Sequence, residues 1–121
     1  NLPNLRLVQN ILAEYSNIRL HVAHDGKTGI ALCEKVIPDL ILLDLNLPEL
    51  DGYEILLQLK RIRNLRDKAI VAISANAMEH DIEKGMQAGF DEYIAKPIDL
   101  KLFLQTLQRL LTSQNDVGKL H

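Results

Sequence analysis

The sequence predicts an α/β domain built on a parallel sheet, because short apolar runs alternate along the chain with segments of helical periodicity. Residues 40–43 and residues 69–73 contain only apolar side chains, which is typical of strands that helices cover on both faces. The chain has 121 residues, of which 47% are hydrophobic, and it shows no internal repeat. This size and composition suit one domain with a substantial core.

The first third of the chain predicts a helix, a strand and a second helix. Apolar side chains recur at helical spacing over residues 3–15. Residues 18–23 alternate apolar and polar side chains, as a half-buried strand does. Asp25 is a candidate N-cap for a short helix that runs to about Lys35 and is stopped by Pro38.

The middle of the chain predicts two buried strands with a helix between them. The first buried run ends in Asp44, and Pro48 marks the loop that follows. The next helix begins after Gly52 and has one apolar face, formed by Ile55, Leu56, Leu59 and Ile62. The second buried run ends in Ser74.

The last third predicts a helix, a strand and a helix. Residues 79–88 form a weaker helical pattern, which Gly89 closes as a C-cap. Residues 93–95 suit a short strand that ends before Lys96. Asp99 is positioned to cap a long final helix with an apolar face, formed by Leu100, Phe103, Leu104, Leu107 and Leu111.

Three consecutive strands therefore end in the polar residues Asp44, Ser74 and Lys96. The carboxyl ends of parallel strands share one edge of the sheet, where ligands bind in open α/β folds. A carboxylate, a hydroxyl and an ammonium group together suit phosphoryl chemistry, with the carboxylate as nucleophile and the other two groups on the phosphoryl oxygens. Each residue alone would more often be a solvated loop residue, so the hypothesis depends on their combination.

At this point the sequence resembles the receiver domain of two-component response regulators. The resemblance covers nearly the whole chain and rests on four motifs, at residues 38–44, 47–52, 72–77 and 93–97. The sequence of residues 74–78 resembles receivers attached to hybrid histidine kinases more than it resembles those of transcription factors. The resemblance implies a doubly wound, flavodoxin-like (βα)5 fold with strand order 2-1-3-4-5.

The resemblance also implies a role for each residue of the site. Asp44 would be the phospho-acceptor and, with the backbone carbonyl of Asn46, a ligand of Mg²⁺. Lys96 would bind the phosphoryl group and precede a cis Pro97, while Ser74 and Tyr93 would form the switch. A histidine kinase or a histidine phosphotransfer domain would supply the phosphoryl group. The chain would be a signalling module rather than an enzyme.

The first strand of the family, with its acidic pair, would lie before Asn1 and is absent from this chain. Loss of a central strand would leave buried backbone groups unpaired, at roughly 1–3 kcal/mol each. We therefore expect a truncated piece of a longer protein, in which binding of Mg²⁺ is weak or lost. The alternatives are direct pairing of the strands at residues 18–23 and 40–43, or strand exchange with a second copy, which would make a homodimer.

Composition excludes several other classes of function. A net charge of −2 and a pI near 6.1 give no electrostatic footprint for nucleic acid. The longest apolar run is far shorter than the roughly 18–20 residues that span a membrane. No signal peptide is recognisable, so we expect a cytoplasmic protein with its domain over residues 1–112 and a polar tail or linker over residues 113–121.

The remaining chemistry-bearing residues have structural interpretations. Cys33, the single cysteine, lies in a helical pattern and is predicted to be a packed thiol. His21 and His24 lie three apart on a predicted strand, so they point to opposite faces and cannot share a metal. His80 and His121 have no partner at metal-ligand spacing, and all four histidines are predicted to lie at the surface. Four further acids are predicted to be solvated or to cap helices and strands: Asp39, Asp51, Asp91 and Glu92.

Two other functions use similar features. A pseudo-receiver would use the same fold as a docking surface without phosphorylation, and the missing acidic pair favours this alternative. A haloacid-dehalogenase-like phosphatase also has an Asp nucleophile at a strand end, but it needs a second acid two residues later. This chain has Asn46 at that position, which argues against such a phosphatase.

Overall fold

The computed structural model describes residues 26–46 and 51–120. The predicted helix at residues 3–15, the predicted strand at residues 18–23 and the proposed N-cap Asp25 lie outside these residues. The alternative of direct pairing between the strands at residues 18–23 and 40–43 also falls outside the described residues.

The described sheet has three parallel strands in the order β1-β2-β3, namely β1 (Leu40–Asp44), β2 (Ala69–Ser74) and β3 (Glu92–Ala95). Leu40 pairs with Ala69 at the start of β1, and the register continues to Asp44 opposite Ile73. Every residue of β2 is buried, including Ser74 at its end, and the apolar run at residues 69–73 predicts such burial for a strand between two neighbours.

Four helices accompany the sheet in the described residues: α1 (Gly26–Val36), α2 (Gly52–Arg61), α3 (Glu79–Ala88) and α4 (Leu100–Leu120). The bounds of α1, α2 and α3 agree with the sequence pattern. The predicted end of the last helix near residue 113 is wrong, because α4 continues to Leu120. A helix makes its backbone hydrogen bonds locally, so a polar segment can extend a helix whose first turns are anchored. The division into a domain and a tail stays a prediction.

The two faces of the sheet carry separate hydrophobic clusters. Ile41 and Leu43 of β1 join the cluster under α1 and α2, which also contains Leu56, Leu59 and Phe90. The alternate residues Leu40 and Leu42 pack into the cluster under α4, together with Val71, Ile73, Phe103 and Leu107. Helices therefore cover both faces, and the predicted doubly wound α/β class is confirmed.

Aspartate side chains bind backbone N–H groups at the start of two of the helices. The Asp51 carboxylate accepts hydrogen bonds from the N–H groups of Tyr53 and Glu54 and caps α2. Asp99 accepts from the N–H of Leu102 in the first turn of α4, as predicted.

Asp91 has a different role, at the start of β2. Its carboxylate accepts from the Ile70 N–H at 2.8 Å, while its own N–H donates to the Ile70 carbonyl at 2.8 Å. This pair of bonds holds the loop before β3 against β2. The prediction that Asp91 has a capping role is confirmed, although the cap joins two strands and not a helix.

The Cys33 thiol is half-buried and packs against the cluster under α1 and α2. Burial raises the pKa of this thiol above its ordinary value, and the nearby Glu34 carboxylate raises it further. A thiol that stays protonated is a poor nucleophile, so the predicted packing role of Cys33 is confirmed.

Candidate functional site

Asp44 lies at the carboxyl end of β1, where the strand pairs with Ile73 of β2. The following N–H, of Leu45, donates to the Ile73 carbonyl at 2.9 Å, so the strand ladder is intact up to the site. The Asp44 side chain keeps 25% of its surface exposed. A carboxylate at this position is fixed by the sheet and still open to a ligand at the strand edge.

Lys96 brings its ammonium group to this carboxylate across the sheet. Its backbone N–H donates to the Ser74 carbonyl at 2.9 Å, which extends the pairing of β2 and β3 by one residue. Its Nζ lies 2.9 Å from both Oδ1 and Oδ2 of Asp44. The Lys96 side chain is only 11% exposed, so this charge-assisted contact is shielded from water on the lysine side.

Asn46 links two loops of the site. Its backbone N–H donates to Asp44 Oδ1 at 2.8 Å, which orients the carboxylate. Its side-chain Oδ1 accepts from the Ala75 N–H at 2.6 Å, in the loop after β2. The sequence predicts a role for the Asn46 backbone carbonyl, but this side-chain bond between residues 29 positions apart was not predicted.

Ser74 ends β2 and is 1% exposed. Strand alternation places Ser74 on the face of the sheet that α2 covers, together with Ile70 and Ala72. The same alternation places Asp44 of β1 on the opposite face, which α4 covers. Its Oγ accepts a hydrogen bond from the Asn76 N–H at 3.0 Å. This bond uses an acceptor site of the hydroxyl, which also has one hydrogen to donate.

Tyr93 also binds the backbone of Asn76. Its hydroxyl donates to the Asn76 carbonyl, and its ring packs against the cluster under α1 and α2. The backbone of Asn76 therefore binds both predicted switch residues, Ser74 through its N–H and Tyr93 through its carbonyl. Sequence reasoning missed Asn76, because its side chain plays no part in these bonds.

The Lys96–Pro97 peptide bond, directly after β3, is cis. This is the geometry that the resemblance implies for Pro97.

The oxygen atoms of the site suit a hard divalent cation. Mg²⁺ takes one or two carboxylates and keeps several water ligands, so the Asp44 carboxylate and the Asn46 carbonyl fit it chemically. Among the described residues, no group of three or more His, Cys, Asp and Glu side chains could hold a metal ion. A magnesium site formed by Asp44 and Asn46 stays a prediction.

Other candidate residues lie in ordinary surface contacts. Asp39 is 78% exposed and lies 3.8 Å from the Lys68 ammonium. Glu92 pairs with Arg109 of α4. His80 lies 3.5 Å from the neighbouring Asp81 carboxylate and is exposed. His21, His24 and His121 fall outside the described residues.

Within residues 26–46 and 51–120, no helix has the length and apolar character needed to cross a membrane.

Two sequence comparisons relate this chain to known proteins. Residues 2–108 match the model of the response regulator receiver domain family. The chain is 34% identical over 110 residues to the polar-differentiation response regulator DivK of Brucella ovis, covering 89% of this chain and 87% of that protein.

Solved structures give the same result. One similar structure is the receiver domain of the sensor histidine kinase PA1611 of Pseudomonas aeruginosa, which has a magnesium ion coordinated in its active site cleft. It is 32% identical to this chain with a TM-score of 0.81, and the match covers 93% of this chain and 91% of that chain. A CheY-like receiver domain protein from Methanospirillum hungatei has a TM-score of 0.83 at 24% identity, covering 98% of this chain and 92% of that chain, and shares the fold. Family model, relatives and fold lead to one conclusion: the chain belongs to the response regulator receiver domain family of two-component signalling.

Proposed function

We propose that this receiver domain accepts a phosphoryl group on Asp44 from a phosphohistidine and passes the change to a partner surface through Ser74 and Tyr93. The observation that carries the proposal is the contact of Lys96 with both oxygens of the Asp44 carboxylate at 2.9 Å. It supports a site in which a nucleophile and a cation meet at the carboxyl edge of the sheet.

The transfer is an attack by a carboxylate oxygen on phosphorus. One Asp44 oxygen forms the new O–P bond, while the P–N bond of the phosphohistidine breaks and its electron pair stays on the imidazole, which takes up a proton. The product is an acyl phosphate on Asp44 and a free histidine on the donor. The backbone N–H of Asn46, bonded to Oδ1 at 2.8 Å, restricts the carboxylate to one orientation during the attack.

Lys96 is the residue that stabilises the added charge. The phosphoryl group brings more negative charge than the carboxylate alone, and the ammonium group already lies beside the reacting oxygens. Because the Lys96 side chain is largely buried, its charge is preorganised and weakly screened. It would bind a phosphoryl oxygen in the product, as a point-charge partner.

Magnesium is the cofactor that we assign to this site, with the Asp44 carboxylate and the Asn46 carbonyl as its protein ligands. The ion would supply positive charge that screens the carboxylate from the incoming phosphoryl group. A relative of known structure, the PA1611 receiver domain, has a magnesium ion in its active site cleft.

The switch runs through Asn76. If Ser74 changes its side-chain rotamer to donate to a phosphoryl oxygen, its Oγ moves away from the Asn76 N–H, and the Asn76 carbonyl that the Tyr93 hydroxyl binds can shift as well. The result is a population shift in the loop before α3. The surface of α3 and α4, which exposes Ile82, Met86 and Leu102, would carry this change to a partner.

The donor class is a histidine kinase or a histidine phosphotransfer domain, and the output is a protein contact in the cytoplasm. The relatives that support this assignment are a polar-differentiation response regulator, at 34% identity, and the receiver domain of a sensor histidine kinase, at 32% identity. A homodimer stays a prediction. The domain would act as a signalling module whose chemistry is confined to gain and loss of its own phosphoryl group.

The test is phosphorylation of the purified chain with acetyl phosphate and, separately, with a phosphorylated histidine phosphotransfer domain, both with Mg²⁺. Intact-mass measurement and peptide mapping should place one phosphoryl group on Asp44, and Asp44→Asn should remove it. Asp39→Asn is the matched control, since Asp39 is an exposed acid outside the site. Labelling that persists in Asp44→Asn contradicts the proposal, and complete absence of labelling favours the pseudo-receiver.

A further inference from the structure

Gly85 lies where α3 packs closely against the ring of Tyr93 in β3. It is the single buried residue of this fully described helix. Exposed side chains precede and follow it in the sequence, including Lys84 and Met86. At Gly85, where α3 packs against Tyr93, the helix therefore has no side chain between its backbone and the ring.

The ring of Tyr93 occupies the space that a side chain at position 85 would fill. A Cβ atom built on Gly85 would lie 2.7 Å from Cδ2 and 3.0 Å from Cε2 of Tyr93, and 3.7 Å from Cδ2 of Phe90. The first distance is shorter than carbon atoms tolerate, so one of the two residues would have to move. The ring can turn about its own side-chain bonds, whereas Cβ is fixed to the helix backbone.

The ring is held at its other end by the hydroxyl. Tyr93 Oη donates to the Asn76 carbonyl, and Asn76 in turn donates its N–H to Ser74 Oγ. The position of the ring over Gly85 and the bond to Asn76 are therefore two consequences of one side-chain conformation.

We propose that Gly85 is a positioning residue of the switch, because the missing side chain allows Tyr93 to lie against α3 with its hydroxyl on Asn76. Any larger residue at position 85 displaces the ring and loses that bond. The chain is then biased away from the resting arrangement of Tyr93 before any phosphorylation. The functional meaning of this bias rests on the proposed switch, but the position of the ring does not.

The test uses 3-fluorotyrosine incorporation and ¹⁹F NMR of the full chain without phosphorylation. The chain has three tyrosines, so three resonances are expected, and Tyr93→Phe assigns the one of interest. Gly85→Ala should shift the Tyr93 resonance. Gln87→Ala on the same helix is the control, since Gln87 is exposed and its side chain donates a hydrogen bond to Glu83 one turn away, so this change should leave the Tyr93 resonance in place.

A double-mutant cycle keeps the proposal testable if Gly85→Ala folds poorly. Alanine stabilises the interior of a helix more than glycine does. Gly85→Ala should therefore raise the melting temperature in a Tyr93→Leu background, where the ring is absent. The same change should lower it, or raise it less, when Tyr93 is present. An unshifted Tyr93 resonance, or an equal effect of Gly85→Ala in both backgrounds, would overturn the proposal.

A second measurement separates this inference from the proposed function. Treatment with acetyl phosphate and Mg²⁺ should label Asp44 equally in the wild type and in Gly85→Ala, since Gly85 lies outside the reacting groups. The Tyr93 resonance should move on labelling in the wild type, and this movement should be smaller in Gly85→Ala. If Asp44 is never labelled, the proposed function fails, while the shift seen without phosphate still decides the role of Gly85.

Discussion

Lys96 and Asp44, 52 positions apart in the sequence, meet through two contacts of 2.9 Å between one ammonium and both oxygens of one carboxylate. The pairing follows from the sheet, because the parallel strands β1 and β3 flank β2 and both end at the same edge of the sheet. The side chains keep only 11% and 25% of their surface in water. Removal of one partner therefore leaves a poorly solvated charge.

The first prediction is that Lys96→Ala slows phosphorylation of Asp44 by on the order of 100-fold, since a preorganised charge is lost from the transition state. The rate with acetyl phosphate, followed by intact mass, checks this. Lys68→Ala is the matched control, because Lys68 pairs with the exposed Asp39 at 3.8 Å and should leave the rate unchanged. Equal rates for wild type and Lys96→Ala would contradict the role given to Lys96.

The second prediction concerns Ser74, whose Oγ accepts from the Asn76 N–H. Ser74→Ala should leave Asp44 able to accept a phosphoryl group but reduce the phosphorylation-dependent change in the α3 amides by about fivefold or more. Amide hydrogen exchange of α3 with and without acetyl phosphate measures this. Ser74→Thr keeps the hydroxyl and should retain the larger part of the response. A full response in Ser74→Ala would show that the coupling does not pass through this hydroxyl.

Each of the two buried runs, which became β1 and β2, could be recognised from the sequence because burial on both faces is a property of the strand itself. Capping by Asp51 and Asp99 is also local and was visible in the same way. The contacts of Asn46 with Ala75, and of Tyr93 with Gly85, join different elements and depend on distances that no short pattern carries.

The sequence pattern placed the end of the last helix too early. Residues after position 112 are mostly polar, which favours a tail, yet α4 includes them up to Leu120. Polarity predicts that a segment faces water, but it does not decide whether the segment is helical, because the backbone bonds of a helix need no buried face.

The third prediction tests the contact that joins the loop before β3 to β2. Asp91→Ala removes the acceptor of the Ile70 N–H and should lower the free energy of unfolding by about 1–3 kcal/mol. Urea denaturation followed by circular dichroism measures this. Asp91→Asn keeps one side-chain oxygen and should cost less, and an equal loss in the two variants would show that the negative charge, and not the hydrogen bond, matters at this position.

The fourth prediction follows from the raised pKa of the Cys33 thiol. The folded protein holds the proton more tightly than the unfolded chain, so stability should fall as the pH rises above the ordinary thiol pKa of 9.0. Cys33→Ala should remove this part of the pH dependence, as measured by melting temperature between neutral and alkaline pH. A slope that is the same with and without the thiol would contradict this linkage.

The last prediction separates backbone from side-chain ligands of the metal. We assign the Asp44 carboxylate and the Asn46 carbonyl to Mg²⁺, and a carbonyl of the main chain survives any change of side chain. Asn46→Ala should therefore keep the affinity for Mg²⁺ within about threefold, although it loses the bond to the Ala75 N–H. Asp44→Asn removes the charge of the carboxylate and should weaken binding by about tenfold or more.

The titration is followed by the ¹⁵N chemical shifts of residues 44–46 as Mg²⁺ is added, with K⁺ at matched ionic strength as the control for screening. The two variants should differ clearly, because one loses a ligand and the other loses only a contact between loops. If Asn46→Ala weakens binding as much as Asp44→Asn does, then the side chain of Asn46 holds the metal or fixes the loop that does. The assignment of its backbone carbonyl as the ligand would then be wrong.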